Sequence, residues 1–117
     1  MGNKMKTKKM VYISGPISDI PNDNAEAFAA AERDLTARGY DTYNPQRKNR
    51  AMVRIMFGVA DGEPTYAQWM AASLSALHDC DAIAFLSGSE NSVGAGIEKA
   101  VANQHGMPEV VLIGEVG

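Results

Sequence analysis

A chain of 117 residues, 45% of them apolar, is long enough for one domain with a buried core. Eleven Lys and Arg against fourteen Asp and Glu leave a net charge of −3, which argues against binding to polymeric nucleic acid. A single cysteine, Cys80, rules out an intramolecular disulfide and fits a reducing cytoplasm, and no stretch approaches the ~20 apolar residues of a membrane span.

Only His78 and His105 offer imidazole groups, and no His/Cys pair has metal spacing, so neither a metal nor a cofactor is expected. Cys80 precedes an apolar run and reads as a small buried residue rather than a nucleophile. Lys4, Lys6, Lys8 and Lys9 crowd the start, so residues 1–9 read as a disordered leader to a single domain over 10–117.

Met10–Ser14 is a short β-prone run closed by Gly15-Pro16. Asp23-Asn24-Ala25-Glu26 resembles a capping box, and the helix after it carries Phe28, Ala31 and Leu35 on one face and stops at Gly39. Asp41–Tyr43 is a second short strand, broken by Asn44-Pro45. Residues 46–64 read as a long mobile flap with a short helix near 52–57, because Gly58, Gly62 and Pro64 punctuate them. Thr65 caps the next helix, whose inward face is Tyr66, Trp69, Met70, Ser73, Leu74 and Leu77. Ser73 interrupts that face and has the option of bonding back into its own helix.

Asp81–Leu86 is nearly continuous in apolar character, as in a parallel sheet covered on both faces. A Gly/Ser loop leads to a helix that ends near Gly106-Met107-Pro108, and Val110–Ile113 is the last expected strand. The order β-α-β-α-β-α-β predicts an α/β fold: a small doubly wound, flavodoxin- or Rossmann-like parallel sheet of about four strands, ordered 2-1-3-4. Ligands bind beyond the carboxyl ends of such strands, where residues 15–21, 44–50 and 87–94 converge.

Within that convergence the run Ser92-Val93-Gly94-Ala95-Gly96-Ile97-Glu98 stands out. Side chains on a helix lean toward its N-terminus, so Glu98 lies over Gly94 and Ala95, which leave a hole above the carboxylate. Ile97, Ala100 and Val101 form the expected inward stripe, with Glu98 at its edge. Ser92 is a good N-cap, and the free N–H groups after it also suit an anion. Tyr12 is a mid-strand residue whose default role is core packing, but a buried hydroxyl needs a partner and a carboxylate at this edge is a candidate. Arg47, Lys48 and Arg50 are either solvated loop charges or contacts for a substrate phosphate.

These residues together resemble the nucleoside 2-deoxyribosyltransferase superfamily, which includes deoxynucleoside-monophosphate N-glycosidases. The likeness rests on Tyr12-Ile13-Ser14-Gly15-Pro16-Ile17, on Asn44-Pro45, on Cys80-Asp81-Ala82-Ile83 and above all on Ser92-x-Gly94-x-Gly96-x-Glu98, and covers residues 10–108. It implies that Glu98 attacks the anomeric carbon of a deoxyribose, that Tyr12 orients it, and that Ser92 and Gly94 hold a 5′-phosphate in the monophosphate branch. Gly15, Pro16, Asn44 and Ser73 complete the expected substrate-binding set. It also implies a homodimer or higher homo-oligomer, a deoxynucleoside or deoxynucleotide substrate, and no membrane partner.

One position departs from the family. Its enzymes carry an aspartate eight residues before the one that opens strand 3, which is Asp81 here, and that place holds Ser73. Protonating a leaving group is commonly worth ~10²–10⁴ in rate, and serine is no acid near pH 7. Asp61, Glu63 or a neighbouring subunit are the candidates to replace it. Three functions therefore stay open: a glycosidic-bond enzyme, a nucleotide-binding module without turnover, and an oligomeric α/β protein with Glu98 at a subunit interface.

Overall fold

The computed structural model describes residues 8–58 and 63–113, and three short runs in it form one parallel sheet. β1 (Met10–Ser14) lies between β2 (Asp41–Tyr43) and β3 (Ala82–Phe85), in the order β2-β1-β3. Tyr12 is in register with Tyr43 on one side and Ile83 on the other, and Ser14 with Phe85. Strand side chains alternate between faces. Val11, Ile13, Ala82 and Ala84 therefore pack with Phe28, Ala31 and Leu35 of α1 (Ala25–Ala37). Tyr12, Tyr43 and Ile83 face the other way, against Ala76 and Leu77 of α3 (Tyr66–His78) and Ala102 of α4 (Val93–Gln104). The result is a three-layer α/β fold with both sheet faces covered, which explains why β1 and β3 are apolar almost throughout.

Residues 46–57 are not part of a flap, and the short helix expected near 52–57 is the second half of a longer one. Pro45 occupies the first turn of α2 (Pro45–Phe57), a helix that ends on Gly58 in a left-handed conformation (φ 68°). Proline tolerates that first position because its missing N–H would be unpaired there anyway, and Gly at the end closes the helix without a Cβ penalty. Of the expected flap, residues 59–62 lie outside the described residues, as do residues 1–7 of the expected leader.

The expected fourth strand is reduced to one parallel bridge, Glu109 to Ile83. Beyond it the backbone turns to side chains of α1: the Ile113 N–H donates to Asp34 at 2.7 Å, and Arg38 donates to the Val111 carbonyl at 3.0 Å. Those polar anchors leave Val111 and Ile113 exposed in spite of their strand propensity.

The capping box at Asp23–Glu26 is likewise absent. Asn22, Asp23 and Asn24 all take left-handed backbone angles, and Asn24 makes no side-chain cap. Its amide donates instead to the Pro16 carbonyl at 2.9 Å, tying the start of α1 to the loop after β1. Asn and Asp are the residues that best tolerate this conformation outside glycine. A capping box does form at Thr65, with Gln68 as its partner.

Gly15 is needed for close approach. A Cβ there would sit 2.7–2.9 Å from the Cδ1, Cβ and Cγ atoms of buried Leu86, too close without a shift of the β1 or β3 end. Gly15→Ala should lose about 1–3 kcal/mol in urea unfolding, as overpacked sites do. Wild-type stability in that variant would remove the close-approach explanation.

Candidate active site

Glu98 sits at the meeting point of α4, β1 and α3. It is only 6% exposed and belongs to the inward face Ala95–Glu98–Ala102, whereas Ile97 and Ala100 point outward. Of the expected stripe only Val101 packs against the core, because two hydroxyl donors make the inward position hospitable to a carboxylate. Tyr12 and Ser14 share one face of β1, two residues apart, and each donates to one oxygen: Tyr12 Oη to Oε2 at 2.8 Å and Ser14 Oγ to Oε1 at 2.7 Å.

The polar set extends further. Tyr43 stacks on Tyr12 with ring centroids 5.6 Å apart and donates its hydroxyl to Asn49 Oδ1 at 2.7 Å. Asn49 Nδ2 in turn donates to Ser73 Oγ at 2.7 Å. Ser73 is itself buried. Ser73 thus bridges between helices rather than bonding back into its own. Burial pushes the Glu98 carboxyl above its ordinary value, and the bonds from Ser14, Tyr12 and Ser73 offset this only in part. Burial also drives the Tyr12 hydroxyl well up, reinforced by the adjacent Glu98, so it stays a proton donor.

One edge of Glu98 opens on a cleft of about 580 Å³ at the carboxyl ends of β1 and β3. Its walls are the loop Gly15–Ile20 with Asn24, Ser87 and Gly88, Asn91 and Ser92 with the first turn of α4, Pro45, and Tyr66, Trp69 and Met70 of α3. Gly94 keeps its mouth clear, since a Cβ there would lie 3.4 Å from Met70 Sδ and 3.7 Å from Tyr66 Oη. Ser92 does cap α4, accepting the Ala95 N–H at 3.2 Å.

Of the residues singled out by sequence, Glu98, Gly15, Pro16, Ser92 and Gly94 line this cleft. Tyr12 and Ser73 stand behind Glu98. Asn44 is buried away from the cleft, where its amide donates to Glu32 at 3.2 Å and its Oδ1 has no partner among the described residues. Tyr66 and Trp69 were expected to pack inward with Met70, but form a cleft wall instead.

Arg47, Lys48 and Arg50 do not reach the cleft. Arg47 pairs with Glu32 at 2.6 Å, Lys48 lies over the Tyr43 ring, and Arg50 pairs with Glu63 at 2.8 Å and covers Trp69. Burial alone would raise the Glu32 carboxyl, but Arg47, Asn44 and Thr42 together hold it below its ordinary value. Glu63 is thereby spent on Arg50, and Asp61 lies outside the described residues. Cys80 is half-buried, and burial, reinforced by Asp81 and Asp79, pushes its thiol up to about 12, which keeps it protonated near neutral pH.

Sequence reasoning missed Ser14, Asn49 and Asp19. The first was legible from strand alternation, since any partner of Tyr12 on that face is also near residue 14. Asn49 was hidden by reading α2 as a loop. Asp19 carries a positive φ of 63° on the cleft wall, a feature with no signature in sequence beyond its residue type. Among the described residues no cluster of three or more His, Cys, Asp or Glu could hold a metal ion, and no helix is long and apolar enough to cross a membrane.

The fold and site define an α/β domain with a buried glutamate at the ligand edge of a parallel sheet. The chain belongs to the family described as a domain of unknown function, DUF4406, whose model matches residues 9–111. No curated protein matches it.

The raised Glu98 value has a consequence for stability. The folded chain holds that proton more tightly than the unfolded chain, so stability falls as pH rises through the interval between the unfolded and folded values, and is flat above it. Glu98→Gln should remove this slope, so that the variant gains on the wild type as pH is raised from about 4 to 8 in urea unfolding. A variant that loses ground instead would show that the hydroxyl bonds to the carboxylate outweigh its burial.

Proposed function

We propose that this protein cleaves or transfers the N-glycosidic bond of a deoxynucleoside or deoxynucleoside 5′-monophosphate through a covalent glycosyl-Glu98 intermediate. The observation that carries this reading is a single carboxylate, buried, gripped by two hydroxyl donors and opening on a cleft. The motif likeness to the nucleoside 2-deoxyribosyltransferase superfamily supplies the reaction class.

The chemistry follows from the grip. Tyr12 and Ser14 favour the ionised form and aim it, leaving lone pairs free for attack. A Glu98 oxygen bonds to the anomeric carbon as the bond from that carbon to the base nitrogen breaks, and its electron pair leaves with the base, which takes up a proton. Water, or a second base, then attacks the same carbon, Glu98 departs as carboxylate, and the incoming group gives up its proton. Two displacements retain the configuration, as in retaining glycosidases.

Chromatography of reactions with the common deoxynucleosides and their 5′-monophosphates, with and without an acceptor base, tests this. Free base should appear, and Glu98→Ala should lower its rate by about 10³-fold or more with the fold intact. Absence of base release from every substrate would reject the proposal. A second reading, a binding module without turnover, is favoured by Ser73: it is buried and engaged with Asn49 where the nucleoside 2-deoxyribosyltransferase superfamily has its acid. Ligand-raised melting temperature without base release would select that reading.

A homo-oligomer fits the apolar surface that α4 leaves outward, where Val93 is 75% and Ile97 37% exposed. Sedimentation should find a species heavier than the 12.5 kDa chain, and a monomer alone at all concentrations would refute it.

A further inference from the structure

We propose that the cleft takes an unphosphorylated nucleoside, its base against Trp69 and its sugar toward Asp19, and discriminates against a 5′-phosphate. This deepens the function proposed above and rests on it for the identity of the ligand as a nucleoside.

The charges around the cleft carry the inference. Among the described residues its walls hold two ionisable side chains with charge to offer, Asp19 and Glu98, and both are acidic. The nearby cations are committed elsewhere: Arg47 to Glu32, Arg50 to Glu63 and the Trp69 ring, Lys48 to the Tyr43 ring and Lys99 to the Phe85 ring. A phosphate monoester brings about −1.5 to −2 charges near pH 7. What favours it are the neutral donors Ser18, Ser87 and Asn91 on the same walls and the start of α4, equivalent to roughly half a positive charge. Even there the Ala95 N–H is already taken by Ser92 Oγ.

The neutral parts of a nucleoside find better matches. Trp69 and Tyr66 offer aromatic surface on the α3 wall, and the Arg50 guanidinium 6.0 Å from the Trp69 centroid holds that ring in place. Bases stack on such surfaces regardless of sequence. Asp19, presented by a left-handed backbone turn, is an acceptor for sugar hydroxyls, whose protons a carboxylate binds and whose phosphate ester it would repel.

The test compares base release by the wild-type chain from each deoxynucleoside and its 5′-monophosphate. The nucleoside should have a kcat/KM about tenfold or more higher, and raised salt should narrow the gap. Asp19→Asn, which keeps a side chain suited to positive φ, should narrow it as well. A monophosphate used as well or better overturns the inference and leaves glycosidic cleavage standing. If neither releases base, the proposed function fails, and the emission of Trp69, the chain's only tryptophan, decides the ligand class alone. Quenching by deoxynucleosides and not by equal concentrations of their monophosphates would then support the inference, and any other pattern would overturn it.

Discussion

A carboxylate taken out of water is the constraint on which the helical face of this sheet depends. An ionised group inside a protein must be met by hydrogen bonds, because leaving it unmet is more costly than the bonds are individually worth. Glu98 is met by Tyr12 and Ser14 from β1. Tyr12 is in turn stacked on Tyr43 of β2, Tyr43 is bonded to Asn49 of α2, and Asn49 to Ser73 of α3. Five elements are thus linked by one chain of contacts. Each of these polar groups is buried, and the satisfaction of one depends on the placement of the next, so the network also fixes the relative seating of the helices.

Much of this was readable from residues alone. The three strands lie within a residue of where apolar runs and turn signals put them, and Ser92 and Thr65 cap the helices they precede. Glu98 was identified from the small residues one turn earlier. What misled was the assumption that apolar residues define the buried side of α4: Ile97 and Ala100 face outward, because the inward position goes to an acid with dedicated donors. The helix expected near 52–57 is present, but its first half, residues 45–51, escapes the sequence for a different reason. Gly58, Gly62 and Pro64 suggest a flap and Pro45 reads only as the end of the strand, although Pro45 stands at the one helical position where it fits and Gly58 just past the end. Val110–Ile113 has the composition of a strand, but Asp34 and Arg38 compete successfully for its backbone.

The basic residues of α2 show how a charge run can be absorbed by architecture. Arg47 ties α2 to α1 through Glu32, which also receives Thr42 and Asn44, so one partly buried carboxylate pins the end of β2. Arg50 braces Trp69 from outside. Exposed ion pairs are individually weak, so these contacts place the charges without adding much to stability. The same residues, counted only as positive charge, suggested a phosphate contact.

β2 has a further consequence. Among the described residues it pairs with β1 on one side only, which makes it an edge of the sheet. Such an edge invites a strand from another molecule, and proteins guard against this with shortness, charge and proline. β2 has all three: it spans three residues, begins at Asp41 and runs through Asn44 into Pro45, where no N–H is left to donate. The ladder of β2 stops at Tyr43, which blunts this edge against strand addition. The residues that stop this strand also launch α2, so protection of the edge and construction of the site's outer wall fall to the same two positions.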